Sequence, residues 1–142
     1  AMADQILKRL RFSTADREAI VSMVANHMTF KDVRAMRLST LKRLLARPTF
    51  EEELSLHRAD CLGCHGKLAN VHFLRRKQRE LSKQEIRPPR LVNGRDLLAM
   101  GLKPGPMFGR ILAGVEESQL DGRVQTREQA LACARELANA WD

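Results

Sequence analysis

The sequence predicts an all-α protein, a helical bundle of about seven or eight helices with a helix-hairpin-helix-like corner near residues 93–120. Three observations carry this. Apolar residues recur at three- and four-residue intervals along most of the chain, the spacing that puts them on one face of a helix. Helix start and stop signals punctuate those stretches: Ser13, Thr49, Asn93 and Thr126 before them, and Gly66, Gly101 and Gly122 after them. No stretch alternates apolar and polar residues as a half-buried strand does, and there is no internal repeat or low-complexity tract.

Residues 4–11 read as the tail of a helix. Ala1 ahead of Met2 looks like the scar of an excision, so an upstream segment is expected. Ser13 or Thr14 caps a helix to about Met28 whose buried stripe is Ile20, Met23, Val24, His27 and Met28. Residues 31–47 form one bent or two short basic helices broken near Ser39 and Thr40, ended by Pro48. Thr49 and Glu52 form a capping box for a helix to about His65, its first turn rich in glutamate as the helix dipole favours.

The next basic segment reads as one helix up to Pro88 and Pro89. Arg75, Arg76, Arg79, Lys83 and Arg87 fall within an arc of roughly 120°, while Val71, Leu74 and Leu81 gather on another. One arc packs and the other is a cationic ridge. Beyond the prolines, Arg90 and Arg95 keep the extended chain positive. Asn93 then caps a short helix with Asp96 in its first turn, Gly101 ends it, and Pro104-Gly105-Pro106 reverses the chain with Pro106 opening the next helix. Gly105 is read as supplying positive φ or bare backbone. Lys103 beside the turn and Arg110 one turn into the helix suit a phosphate at that helix end. A helix follows to about Leu120, and Thr126 with Gln129 starts the last one, with Trp141 over the end of the core.

The net charge of +8 is concentrated. Residues 67–95 carry nine Lys or Arg against Glu80 and Glu85, and residues 31–47 carry six against Asp32. Such clustering is the footprint of a polyphosphate partner, so tRNA or another RNA is the expected ligand and a helical bundle that binds an acidic protein is the rival. Aromatic residues are 4% with no Tyr, which favours backbone and shape recognition over base stacking. No apolar run approaches the ~20 residues of a membrane span, and the start has no signal-peptide pattern.

Cys61-Leu62-Gly63-Cys64-His65 matches the C-x-x-C-H attachment signature of a haem module. The segment sits late in a capped helix where Leu54, His57, Cys61 and Cys64 share one side, so the thiols read as small core hydrophobes. A zinc site from His57, Cys61, Cys64 and His65 would crowd four tetrahedral ligands on one short helix. Three cysteines without framework spacing point to a reducing compartment, the cytoplasm. No residue of the chain is assigned a catalytic or metal-binding role.

The segments VNGRDLLAMGLKPGPMFGRIL and EESQLDGRVQTREQAL, with LRFSTADREAIVSMVANHM, LHRADCLGCHG and IRPPRLVNGRDLLAMGL before them, resemble the C-terminal region of the bacterial poly(A) polymerase / CCA-adding tRNA nucleotidyltransferase family. The resemblance implies that residues 1–47 end an HD-like and neck module, in which His27 is a surviving fragment of an HD site, and that residues 48–142 form an RNA-binding body and tail. It also implies an intact parent that adds nucleotides to RNA 3′ ends, by CCA addition or polyadenylation, with Mg²⁺ and ATP or CTP held in a catalytic head missing here. On this reading the RNA-binding residues are Arg75, Arg76, Arg79, Lys83, Arg87, Arg90, Lys103 and Arg110, and the fragment itself needs no cofactor.

Overall fold

The computed structural model describes residues 2–140; Trp141, expected over the end of the core, lies outside them. Among the described residues the chain is all-α, as the sequence predicts, with nine α-helices, one 3-10 helix and no strand. They are α1 (Met2–Arg9), α2 (Thr14–Asn26), the 3-10 helix (His27–Asp32), α3 (Leu38–Leu45), α4 (Phe50–Cys64), α5 (Ala69–Glu80), α6 (Lys83–Ile86), α7 (Gly94–Ala99), α8 (Pro106–Leu120) and α9 (Arg127–Asn139). The chain divides into two units: the first holds residues 1–36 and 44–81, the second residues 37–43 and 82–142.

In the first unit α4 lies against the 3-10 helix, α2 and α5. Phe30, Val33, Leu54 and Leu74 are almost wholly buried there, and the Phe30 ring is 6.2 Å from that of Phe50. Glu53 is completely buried, and its carboxylate accepts from Arg47 (3.1 Å), the Thr49 hydroxyl (2.9 Å) and the Asn26 amide (3.3 Å). Burying an ionised group is costly unless it is paired and hydrogen-bonded, and these three donors meet that need.

Three expectations for residues 14–53 fail. The stripe on α2 is not buried: Val24 is 42% and Met28 50% exposed, and no residue of α2 is in the core. α2 lies mainly against α1, the 3-10 helix and α4, and its apolar face stays half open. Thr49 makes no capping bond to α4, because its hydroxyl donates to Glu53 instead. The break in the 31–47 segment falls before Leu38, not at Ser39 and Thr40, which lie inside α3.

That last correction has its cause in the second unit, to which residues 37–43 belong. The Ser39 amide, in the first turn of α3, donates to the Asp121 carboxylate at 2.8 Å, and the buried Lys42 ammonium donates to the Leu120 carbonyl at 2.9 Å. A carboxylate from far along the chain therefore caps this helix. The core of the unit is Val92, Leu97, Ile111, Val115, Val124, Ala130, Ala134 and Ala138, with α8 and α9 packed along each other. Gly114 lets them meet closely, since a Cβ there would stand 2.7 Å from a Leu137 methyl.

Candidate nucleic-acid interface

The expected ridge is not one helix. α5 ends at Glu80, Leu81 is extended, and Ser82 starts α6 with a complete capping box: its hydroxyl accepts from the Glu85 amide at 3.1 Å while the Glu85 carboxylate accepts from the Ser82 amide at 2.8 Å. That reciprocal pair is a stronger local instruction than helix continuation, and it removes Lys83 and Arg87 from the face of α5. Ser82 and Glu85 stand at capping-box spacing in the sequence, and this was the signal missed.

On α5 itself the cations are largely engaged. Arg75 donates to Glu51 at 2.6 Å and to the Gln78 side chain at 3.0 Å, while Gln78 donates to Glu51 at 2.6 Å. Glu51 is held below the usual glutamate range, first by the Gln78 amide and then, against some burial, by Arg75. Arg76 pairs with Glu80 at 3.5 Å and lies 5.8 Å over the Phe73 ring. Lys77 holds the other Glu80 oxygen at 2.8 Å. Arg79 is exposed and forms no ion pair among the described residues, although its charge helps lower the Glu80 pKa after the Lys77 bond.

In the second unit Lys83 opens α6 and is exposed, and Arg87 is the C-cap of that helix. Arg90 lies 3.5 Å from Glu116, a long and exposed pair. The corner follows the expected pattern. Asn93 Oδ1 accepts from the Arg95 amide at 2.9 Å, Asp96 accepts from the Asn93 amide at 2.8 Å, and Gly101 takes φ 84° at the close of α7. The Asn93 amide bond, ahead of the opposing burial and the Arg127 guanidinium, keeps Asp96 below its ordinary pKa. Arg127 reaches both Asp96 and, at 3.0 Å, the Leu91 carbonyl, tying α9 to the corner.

Gly105 does not take the positive φ that is one of its two expected roles. Its φ is 173°, extended backbone open to any residue, and a Cβ there would meet nothing within 4 Å. The positive φ sits at Gly101 instead. No side chain caps α8. Pro106 has no N–H and the Phe108 amide already donates to Gly105 at 3.0 Å, so few amides remain to meet an anion. The cations are the larger resource. Lys83, Arg95 and Lys103 are exposed and have no carboxylate partner among the described residues. Arg110 is exposed and lines a groove with Arg43, Glu116 and Glu117. Arg95, inside the capping box, was not among the residues singled out as RNA-binding.

The C-x-x-C-H segment divides. His57 and Cys61 are buried, the His57 Nε2 lying 3.5 Å from the Cys61 sulfur, but Cys64 is exposed at the end of α4 and is not the core residue expected. Burial, with Asp60 nearby, raises the Cys61 thiol and so disfavours the reactive thiolate. Burial also lowers His57, opposed by Asp60 and assisted by His27 and His65. Among the described residues no group of three or more His, Cys, Asp or Glu is placed to hold a metal ion. No helix among them is long and apolar enough to cross a membrane.

Comparison with known proteins gives this arrangement a context. The profile of the family described as tRNA nucleotidyltransferase domain 2 matches residues 1–134. An A-adding tRNA nucleotidyltransferase of Deinococcus radiodurans is 30% identical over 96% of the chain, which covers 33% of that relative. A CC-adding tRNA nucleotidyltransferase of Thermus thermophilus is 30% identical over 87% of the chain and 28% of the relative. An A-adding enzyme of Halalkalibacterium halodurans is 37% identical over 40% of the chain. The chain thus spans about a third of the length of the first two relatives. No solved structure matches it.

Proposed function

This chain belongs to the tRNA nucleotidyltransferase family, and we propose from that premise that it is an RNA-holding part of a nucleotidyltransferase. In this proposal the parent adds nucleotides to RNA 3′ ends in the cytoplasm, without a template. Mg²⁺ and ATP or CTP are bound by a catalytic head that is not among these residues. The chain holds the tRNA, or another folded RNA, by its phosphates and so sets how far the 3′ end extends.

The observation that carries this reading is a group of exposed cations in the second unit, Lys83, Arg95 and Lys103, that have no carboxylate partner among the described residues, whereas Arg75, Arg76 and Lys77 of α5 are paired with carboxylates. A cation already paired gains little from a phosphate, because it must first give up its carboxylate. An unpartnered one gains the full exchange of small counterions for a fixed one. Arg90 and Arg110 add charge to the same unit, and Arg79 adds it on α5. Arg75 and Arg76 hold the α5 surface together and contribute less.

Titration of a tRNA transcript against the chain over a salt series tests this. The expected log–log slope is about −3 to −6, as several phosphate contacts require. Absent or salt-independent binding overturns the proposal.

A further inference from the structure

The cleft between α7 and α8, of about 580 Å³, is lined by Asn93, Gly94, Arg95, Leu98, Pro104 and Phe108. Its size is that of a small-ligand site, ~300–1,000 Å³. Its walls are unusual for this unit. Phe108 is the unit's one aromatic residue among those described, and it is half-buried, packed against the core cluster and 4.0 Å from the position a Cβ on Gly94 would take. Leu98, at 50%, is the most exposed large hydrophobic side chain of the unit, although its neighbour Leu97 is wholly buried. The guanidinium of Arg95 is unpartnered.

One exposed leucine on a surface is ordinary. An exposed leucine that shares a concave site with an aromatic ring, a proline ring and an unpaired guanidinium has the composition of a stacking platform beside a phosphate contact. The apolar walls would gain nothing from a phosphate, and the guanidinium would gain nothing from a purely apolar partner. A nucleotide satisfies both.

We propose that this cleft takes one unstacked nucleobase of the bound RNA, its face against Phe108 and Leu98, with Arg95 on the adjoining phosphate. The inference rests on the RNA-holding reading above and adds a contact that salt does not screen. Binding of a tRNA transcript should be measured over a salt series for the unaltered chain and for Phe108→Leu, Leu98→Ser and Arg95→Gln. Phe108→Leu keeps an apolar side chain in the core but loses the ring, and Leu98→Ser alters only an exposed residue. Each of these two should weaken binding by about tenfold at every salt concentration, leaving the slope unchanged. Arg95→Gln should instead flatten the slope by about one. Affinity unchanged in Leu98→Ser, together with an unchanged or purely stability-linked effect in Phe108→Leu, overturns the cleft assignment while the salt-dependent binding of the unaltered chain still stands. If the unaltered chain shows no salt-dependent binding, both readings fall together.

Discussion

The basic face of α5 and the corner of α7 and α8 look alike as strings of Lys and Arg, yet they differ in what already neutralises them. Arg75, Arg76 and Lys77 are bound to Glu51 and Glu80. Lys83, Arg95 and Lys103, flanking or within the corner, have no such partner among the described residues. Net charge by segment does not separate the two, because residues 67–95 include Lys83 and Arg95 as well as α5; the ion pairs do. Positive charge marks an interface only where the fold leaves it unspent.

The largest test of that contrast is the triple substitution Lys83→Gln, Arg95→Gln, Lys103→Gln. Loss of three phosphate contacts should weaken tRNA binding by about two orders of magnitude at 0.1 M salt and reduce the slope by about two to three. Circular dichroism should be unchanged, because all three side chains are exposed. An unchanged slope would return the RNA surface to α5.

Two glycines of the corner should separate its conformational needs from its contacts. Gly101→Ala forces a Cβ into φ 84° and should cost about 1–2 kcal/mol, read as a lower midpoint in urea. Gly105→Ala should leave that midpoint unchanged, since φ is extended and the space beside it is open. A drop in stability for Gly105→Ala would contradict this account of the corner.

On α5 the same experiment should give a smaller answer. Arg75→Gln with Arg76→Gln should lower tRNA affinity less than about threefold while costing about 0.5–1 kcal/mol of stability, the scale of exposed ion pairs. Glu51→Gln sharpens the point, because it should free Arg75 and raise RNA affinity slightly at low salt. A larger loss of binding for the double variant than for the corner triple would reverse the contrast.

The smallest expected difference is in acid. Burial holds His57 below its ordinary 6.5, so the unfolded chain takes the proton more readily and the first unit loses stability as pH falls through 6.5. In the second unit, burial pushes Asp121 up but the Ser39 amide and Arg123 outweigh it, leaving its pKa below 3.8. Its contribution is complete above 3.8 and is lost only as pH falls through the lower folded value. Melting between pH 7 and 5 should therefore decline less steeply in His57→Gln, whereas Asp121→Asn should change only the decline below about pH 4. The same slope in His57→Gln as in the unaltered chain would remove His57 from the acid response.

Local instructions were legible in the sequence wherever both partners lie within one turn. The capping boxes at Asn93 and Thr126, the proline opening α8 and the glycines closing α4, α7 and α8 stand where the residues indicate. The box at Ser82 was equally local but was outweighed by the long run of cations around it. The Thr49 box failed for a different reason: Glu53, one residue beyond Glu52, is buried and takes the hydroxyl. Nothing in a sequence pattern says which of two adjacent carboxylates will be buried.

What the sequence determined alone is therefore the helical class, most of the helix ends, the family and the presence of concentrated positive charge, because these depend on neighbours a few residues apart or on composition. The tertiary structure decided which cations are spent. Glu51 lies 24 residues from Arg75, Glu116 lies 26 from Arg90, and Asp121 lies 82 from Ser39. Pairings across such separations are set by how the helices pack, and a side chain's charge is available to a ligand only after those pairings have been made.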